Sequence, residues 1–172
     1  MLRKPSYQYQ ILLGEISGGI EDGKALACRR KQWVDKLKLM VMMRDELNQF
    51  IKEYKTAKSQ DLIKLLVYGV QVFGARINIY SMIWCGGGVY LFGLIDTCIL
   101  PMSSESIYNL EQAFAILQTL KSKCYLASSF IMEIERFISK QRRLSMPNNI
   151  AVEEAIVCVQ QKLSITESSG QS

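Results

Sequence analysis

A long segment with almost no charge constrains the fold of this chain more than any other feature of its sequence. Residues 79–100 contain one charged side chain, Asp96, and such a segment is long enough to span a bilayer. Gly86, Gly87 and Gly88 lie near its middle, however, and each glycine weakens a helix by about 1 kcal/mol. The flanking residues alternate polar and apolar or are β-branched and aromatic, which favours strands. We therefore expect two buried strands joined by a glycine hairpin, and no membrane contact.

The strand pattern continues on both sides of this segment. Residues 65–73 are strand-like and end at a tight turn, Gly74-Ala75, so that 65–73, 76–85 and 89–99 form a three-stranded antiparallel meander. A separate apolar run predicts a first strand at about 7–14. The sequence therefore predicts a four-stranded sheet.

Helices account for most of the remaining chain. A long helix is expected at about 29–57, after the first strand, with one apolar face packed inward. Two more helices, one starting near Ser103 and one at about 123–143, are expected to form a C-terminal helical hairpin. The positions expected to face inward are Trp33, Leu37, Met40, Leu47, Ile51 and Tyr54 in the long helix, and Ile107, Leu110, Phe114, Leu117 and Leu120 in the next.

These elements predict one mixed α/β domain of the α+β class at residues 1–145. A weak helix is expected at 146–163, after the break at Pro147, and a polar, disordered tail at 164–172.

Composition excludes several classes of catalyst. The chain has no histidine, and it therefore has no Ser-His-Asp or Cys-His catalytic group and no imidazole metal ligand. Its five cysteines contain no C-x-x-C pair and the N-terminus has no apolar leader, which favours a reducing, intracellular location, nuclear or cytoplasmic. Carboxylates with a hard metal ion are the main catalytic chemistry that remains.

The net charge of +5 comes from the first third of the chain. Residues 1–60 contain 12 basic and 7 acidic residues, and the rest of the chain contains 9 of each. Arg29, Arg30 and Lys31 open the long helix, where positive charge is electrostatically unfavourable, and Lys36 follows with Trp33 between them. These basic residues are candidates for binding DNA or RNA, with Trp33 stacking on a base. The alternative is a solvated helix start with Trp33 packed inward.

Glu15 is the candidate for chemistry because it follows a buried strand. A carboxylate in this position is costly unless it is paired, hydrogen-bonded or metal-bound. The alternative is that the strand exits to solvent there and that Glu15 has no role.

Four short stretches occur in a characteristic order over residues 3–121. They are Arg3-Lys4-Pro5-Ser6; Glu15-Ile16-Ser17; Asp35 with Lys38-Leu39 and Arg44-Asp45; and Val67-Tyr68-Gly69-Val70-Gln71 with Gly74, Tyr80, Gly88-Val89-Tyr90 and Leu100-Pro101. Together they resemble the PD-(D/E)XK, or restriction-endonuclease-like, core in the degenerate form found in uncharacterised fungal proteins.

The resemblance implies a metal-dependent nuclease core in which Glu15 binds Mg²⁺ and a lysine helps to hold the attacking water. The metal-binding Asp of that pattern is Ser6 in this chain, and the motif Lys is Ser17. A hydroxyl is a poor ligand for Mg²⁺ and cannot supply the positive charge of a lysine. The helix and strand that precede the motif in such cores are not in this sequence, and we therefore expect a truncated domain.

Other residues offer partial replacements for the lost groups. Lys38 on the long helix, or less readily Lys36, is the candidate for a migrated lysine, and Glu21 and Asp22 are remote candidates for the lost Asp. We therefore expect a catalytically inactive domain that binds nucleic acid and needs no cofactor. The alternatives are a protein-interaction module that binds a partner or forms a homodimer, an active Mg²⁺-dependent nuclease that uses Glu15 and Lys38, and a non-functional remnant.

Overall fold

The structure, a computed structural model, describes residues 9–18, 20–21, 24–25, 28–55, 57 and 59–145. The expectations for Ser6, for the weak helix at 146–163 and for the tail at 164–172 lie outside these ranges. The chain divides into two compact units, Met1–Glu135 and Arg136–Ser172. The packing described below belongs to the first unit, and the described part of the second unit, residues 136–145, is helical.

The described residues form six strands, three α-helices and one short 3₁₀ turn at Ser104–Ser106. The order along the chain is β1 (Leu12–Ile16), β2 (Ile20–Glu21), β3 (Lys24–Ala25), α1 (Arg29–Glu53), α2 (Ser59–Leu62), β4 (Leu66–Phe73), β5 (Arg76–Gly86), β6 (Val89–Ile99) and α3 (Asn109–Ser145).

The α+β class and the four-stranded sheet are confirmed. The order in the sheet is β1-β4-β5-β6, with β1 parallel to β4 and the last three strands antiparallel. Gly87 and Gly88 form the turn between the paired residues Gly86 and Val89, and both have positive φ angles, 57° and 80°. Glycine adopts this left-handed conformation at no steric cost, which explains why the glycines make a hairpin here and not a membrane helix. No helix in the described ranges has the length and apolarity needed to cross a membrane.

Helix α1 packs on one face of the sheet through a stripe that includes the predicted Leu47 and Tyr54 but differs from the prediction nearer the start of the helix. Leu39, Met43 and Phe50 are buried, whereas Trp33 is 58% exposed and Leu37 is 38% exposed. The expectation of an inward Trp33 is therefore wrong. The reason is that α1 has apolar residues on more than one face, and the buried stripe begins with a charged residue, Asp35, which a count of apolar positions passes over.

Helix α3 covers the other face of the sheet within the first unit. Tyr68 of β4, Ile77 and Ile79 of β5 and Cys98 of β6 form a core cluster with two residues of the helix, Ala113 and Leu120. Since neighbouring strand residues point to opposite faces, this cluster and the α1 interface together bury both sides of the central strands.

The predicted C-terminal hairpin is wrong, because α3 is one continuous helix of 37 residues. The sequence from 109 to 145 contains neither Gly nor Pro, and the polar residues near 122 do not interrupt a helix. Its inward face also differs from the predicted one: Leu120 is buried, but Leu110 and Phe114 are 51% and 61% exposed.

A glycine at the α1–sheet interface gives a direct test of this packing. A Cβ atom on Gly69 of β4 would lie 2.6 Å from Met43 Sδ and 3.0 Å from Leu39 Cδ2. We expect Gly69→Val to lower the free energy of unfolding by about 1–3 kcal/mol through overpacking, as measured by urea denaturation. The matched control is Gly93→Val in β6, where a Cβ atom meets nothing within 4 Å and stability should not fall. Equal stability of the two variants would contradict the packing of α1 described here.

Candidate functional site

Lys38 joins two carboxylates at the interface between α1 and the sheet. Its Nζ atom lies 3.2 Å from Asp35 Oδ1, one turn earlier on α1, and 3.7 Å from Glu15 Oε1 on β1. Lys38 is the residue expected near Glu15, and α1 does place it there. The carboxylate one helical turn away, Asp35, brings a second negative charge to the same ammonium group. The pKa of Lys38 is raised by the hydrogen bond to Asp35 first, and then by the charges of Asp35 and Glu15.

Asp35 is the buried member of this cluster, with 2% of its surface exposed. The nearby Ser17 hydroxyl is the main cause that lowers the pKa of its carboxyl group, and Lys38 and the charge of Lys31 act in the same direction against desolvation. Its Oδ2 atom nevertheless completes no hydrogen bond of normal geometry. The carboxylate is therefore held charged in the protein interior by one hydroxyl and nearby cations.

Ser17, which the resemblance compares with the motif lysine, is fully buried and belongs to a chain of polar side chains. Gln71 Nε2 on β4 donates to Ser17 Oγ at 3.3 Å and to the Gln32 carbonyl oxygen of α1 at 2.7 Å. The Tyr80 hydroxyl on β5 donates to Gln71 Oε1 at 3.3 Å, and Asn78 Nδ2 donates to that hydroxyl at 3.2 Å. Ser17 thus has a structural position in a buried network and not a free one in a cleft.

The cluster fits a lysine-bridged pair of carboxylates better than it fits a Mg²⁺ site. Mg²⁺ requires near-octahedral oxygen coordination at about 2.0–2.1 Å, usually with several waters. Here Glu15 and Asp35 both contact the Lys38 ammonium, which already supplies the positive charge. Within the ranges that the structure describes, no group of three His, Cys, Asp or Glu residues is arranged to hold a metal ion. We therefore assign no metal to these residues.

The basic residues of the first turns of α1 lie on the solvent side of the same helix. Arg29, Arg30 and Lys31 are exposed, and the charge of Lys31 reaches Asp35. The N-cap residue, Cys28, makes no side-chain hydrogen bond to the helix end. The first turn therefore combines three basic side chains with backbone N–H groups that the Cys28 side chain does not cap, and both features attract anions.

Lys36 does not lie with the carboxylates. Its Nζ atom lies 5.1 Å from the centre of the Tyr80 ring and 5.7 Å from those of Trp33 and Phe92. Lys36 is therefore an aromatic-packed cation, and of the two candidate lysines it is Lys38 that contacts Glu15.

Two members of the cluster were absent from the site predicted from sequence. Asp35 and Gln71 appeared in the motif stretches but were not assigned to the site. The signal for Asp35 was its spacing, because it lies four residues before Leu39 and eight before Met43, in phase with the buried stripe. Gln71 lies within an apolar strand, where a buried amide needs hydrogen-bond partners. Glu21 has a backbone position in β2, and Asp22 lies outside the described residues.

No family model, no curated protein and no solved structure matches the chain.

The buried carboxyl group predicts a specific pH dependence of stability. Because its pKa is lowered in the folded state, Asp35 stabilises the fold fully above the unfolded pKa of about 3.9, and this stabilisation is lost as the pH falls toward the folded value. We expect Asp35→Asn to be less stable than the wild type at about pH 7, with a gap that narrows toward about pH 3, as measured by urea denaturation.

The control for this experiment is Asp45→Asn on the same helix. Asp45 pairs with Arg44 at the surface, where ion pairs contribute about 0–1 kcal/mol. A gap between Asp35→Asn and the wild type that stays constant over this pH range would contradict the role assigned to the Asp35 charge.

Proposed function

We propose that this chain is a restriction-endonuclease-like domain that has lost metal-dependent cleavage and binds nucleic acid through the basic start of α1. The observation that carries the proposal is the exposure of Trp33, which is 58% accessible directly after Arg29, Arg30 and Lys31. An indole packed into the core was the alternative explanation for this segment. An exposed indole beside three cations has the composition of a nucleic-acid-binding surface.

The loss of cleavage is supported by the groups at the degenerate motif. A nuclease of the resembled class needs a metal ion, carboxylates and a lysine near the phosphate that is attacked. Ser17 occupies the lysine position and is engaged by Gln71 in the interior. Lys38 is bridged to both Glu15 and Asp35, so its charge is balanced by two carboxylates. Phosphate binding needs only accessible positive charge, which Arg29, Arg30 and Lys31 keep. A nuclear or cytoplasmic location accompanies this proposal.

Cleavage assays test the loss of activity. We expect purified protein with Mg²⁺ or Mn²⁺ to cut neither DNA nor RNA above the background of a Glu15→Ala variant prepared in the same way, because the motif lysine is absent and Lys38 is paired. The measurement is the conversion of end-labelled duplex and single-stranded substrates on denaturing gels. Metal-dependent cutting that disappears in Glu15→Ala would overturn the inactive assignment and establish an active nuclease that uses Glu15 and Lys38.

Charge reversal tests the binding surface. We expect the wild-type protein to bind a DNA duplex or its single strand in a salt-dependent way, and the triple variant Arg29→Glu, Arg30→Glu, Lys31→Glu to weaken binding. The slope of log K against log salt should decrease in magnitude by about 1 for each of the three residues. The measurement is fluorescence anisotropy between about 50 and 200 mM salt.

The matched control reverses three other exposed lysines. They are Lys52→Glu in the last turn of α1, Lys55→Glu two residues beyond its end and Lys121→Glu on α3. This variant has the same net charge as the first, so equal weakening by both variants would show that binding follows total charge and not the proposed surface.

A second candidate function has its own observation. Along α3, Leu110, Phe114, Tyr125 and Leu126 are 51–71% exposed, which is an apolar surface of the kind that mediates protein association. Homodimerisation seen by light scattering that does not change with salt, in a protein that binds no nucleic acid, would favour an interaction module over the proposed function.

A further inference from the structure

Three aromatic rings surround the ammonium group of Lys36 on the solvent side of the α1–sheet interface. The Lys36 Nζ atom lies 5.1 Å from the Tyr80 ring centre and 5.7 Å from each of the Trp33 and Phe92 ring centres. These distances are within the range of about 6 Å for cation–π contacts. The rings come from α1, β5 and β6, so residues distant in sequence converge on one cation.

The outer part of this cluster is open and the inner part is fixed. Trp33 is 58% exposed and Phe92 is partly exposed, whereas Tyr80 is buried at 3%. The Phe92 ring stacks on Tyr80 with a centre-to-centre distance of 5.0 Å and an angle of 15°. The Tyr80 hydroxyl donates to Gln71 in the interior, which holds the lower ring in place. The result is a firm aromatic surface with a cation at its edge.

We propose that Trp33, Lys36 and Phe92 form a stacking platform that selects single-stranded nucleic acid. This inference rests on the proposed function, because the phosphates would be held by Arg29, Arg30 and Lys31. Arg29, Arg30, Lys31, Trp33 and Lys36 lie within eight residues of α1, which is about 10 Å of its length, and Phe92 of β6 lies beside Lys36. A single strand that lies along the start of α1 can therefore contact the cations with its backbone and the rings with its bases.

The exposed rings favour a single strand over a duplex. In a duplex the faces of the bases are already stacked on one another, so flat aromatic side chains have no base face to contact. In a single strand each base presents a free face, and stacking on an aromatic side chain is tolerant of sequence. Lys36 adds a charge that can contact the phosphate or the stacked base. A duplex could use the arginines and the lysine of the first turn, but it would leave the platform unused.

The test compares single strands and a duplex of about 12 nucleotides by fluorescence anisotropy, with oligo(dT), oligo(U) and a mixed-sequence DNA duplex as probes. We expect both single strands to bind more tightly than the duplex, and their ratio identifies DNA or RNA as the preferred form. Trp33→Ala should weaken single-strand binding by about 5-fold to 100-fold, and Trp33→Phe should restore most of it, because one stacked ring per base has an effect of this size.

Two controls separate stacking from a structural effect. Phe114→Ala removes an aromatic ring of similar exposure, 61%, on α3 and should leave binding unchanged. Since the chain has two tryptophans, a Trp84→Phe background leaves Trp33 as the single indole, and its emission should be quenched by oligo(dT) and not by the duplex. The salt slope should stay the same in Trp33→Ala and decrease in Lys36→Ala, because the ring carries no charge.

The outcomes distinguish this inference from the proposed function. The platform is overturned if the duplex binds as tightly as the single strands and Trp33→Ala has no effect. The proposed function then stands if charge reversal at Arg29, Arg30 and Lys31 still abolishes binding. Failure to bind any of the three probes overturns both. Equal weakening by Trp33→Ala and Phe114→Ala also overturns the platform.

Discussion

The buried carboxylate of Asp35 is the constraint on which the arrangement of α1 depends. A carboxylate that is 2% exposed is tolerated only with hydrogen bonds and nearby positive charge. Ser17 and Lys38 supply these, and both must come within reach, which sets the rotation of α1 about its own axis. With that rotation, Leu39 and Met43 lie over Gly69, where the absence of a side chain on β4 allows the helix to approach closely.

The same rotation determines which side chains of α1 are exposed to solvent. Once Asp35 and Leu39 point toward the sheet, Trp33 must point toward solvent, because residues two apart on a helix lie on nearly opposite faces. The buried hydrogen-bonded side chains of the sheet then link the Asp35 side of α1 to its Lys36 side. Ser17 and Tyr80 are both hydrogen-bonded to Gln71, and the Phe92 ring stacks on Tyr80 beside Lys36. Loss of one member would leave a buried polar atom unpaired, and such atoms are costly in the interior.

Local chemistry explains which parts of the fold could be predicted from the sequence. The meander was predicted almost to the residue, since Gly74, Gly87 and Gly88 adopt positive φ angles that mark the two turns. No local sequence signal distinguishes one long α3 from two shorter helices. Because apolar residues occur on several faces of α3, the sequence does not show which face points inward. The parallel pairing of β1 with β4 and the small β2–β3 hairpin depend on contacts between distant or weakly patterned residues.

The candidate site was predicted only in part. The contact between Glu15 and Lys38 was expected from the motif, but the charge of Asp35 beside them was not. Asp35 is in phase with the buried stripe, and a search for apolar periodicity treats such a residue as an interruption.

Under the proposed function, Ser17 stands where the resembled motif has a lysine, and the positive charge beside Asp35 comes from Lys38 at the rim. A lysine at Ser17 would have to bury its ammonium group beside Asp35 and Gln71, whereas the side chain of Lys38 is 58% exposed and reaches the same carboxylate from the surface. Folding needs only that Asp35 be neutralised, and either position satisfies this need. Under the proposed function, cleavage would need a cation held at a defined place beside a metal-bound phosphate, whereas Lys38 is exposed and paired with two carboxylates. Binding of a phosphate backbone needs neither arrangement, because Arg29, Arg30 and Lys31 are exposed at the start of α1, although the charge of Lys31 also acts on Asp35. Under the proposed function, a basic surface can therefore serve in binding without the catalytic groups of the resembled motif, because phosphate binding does not require them.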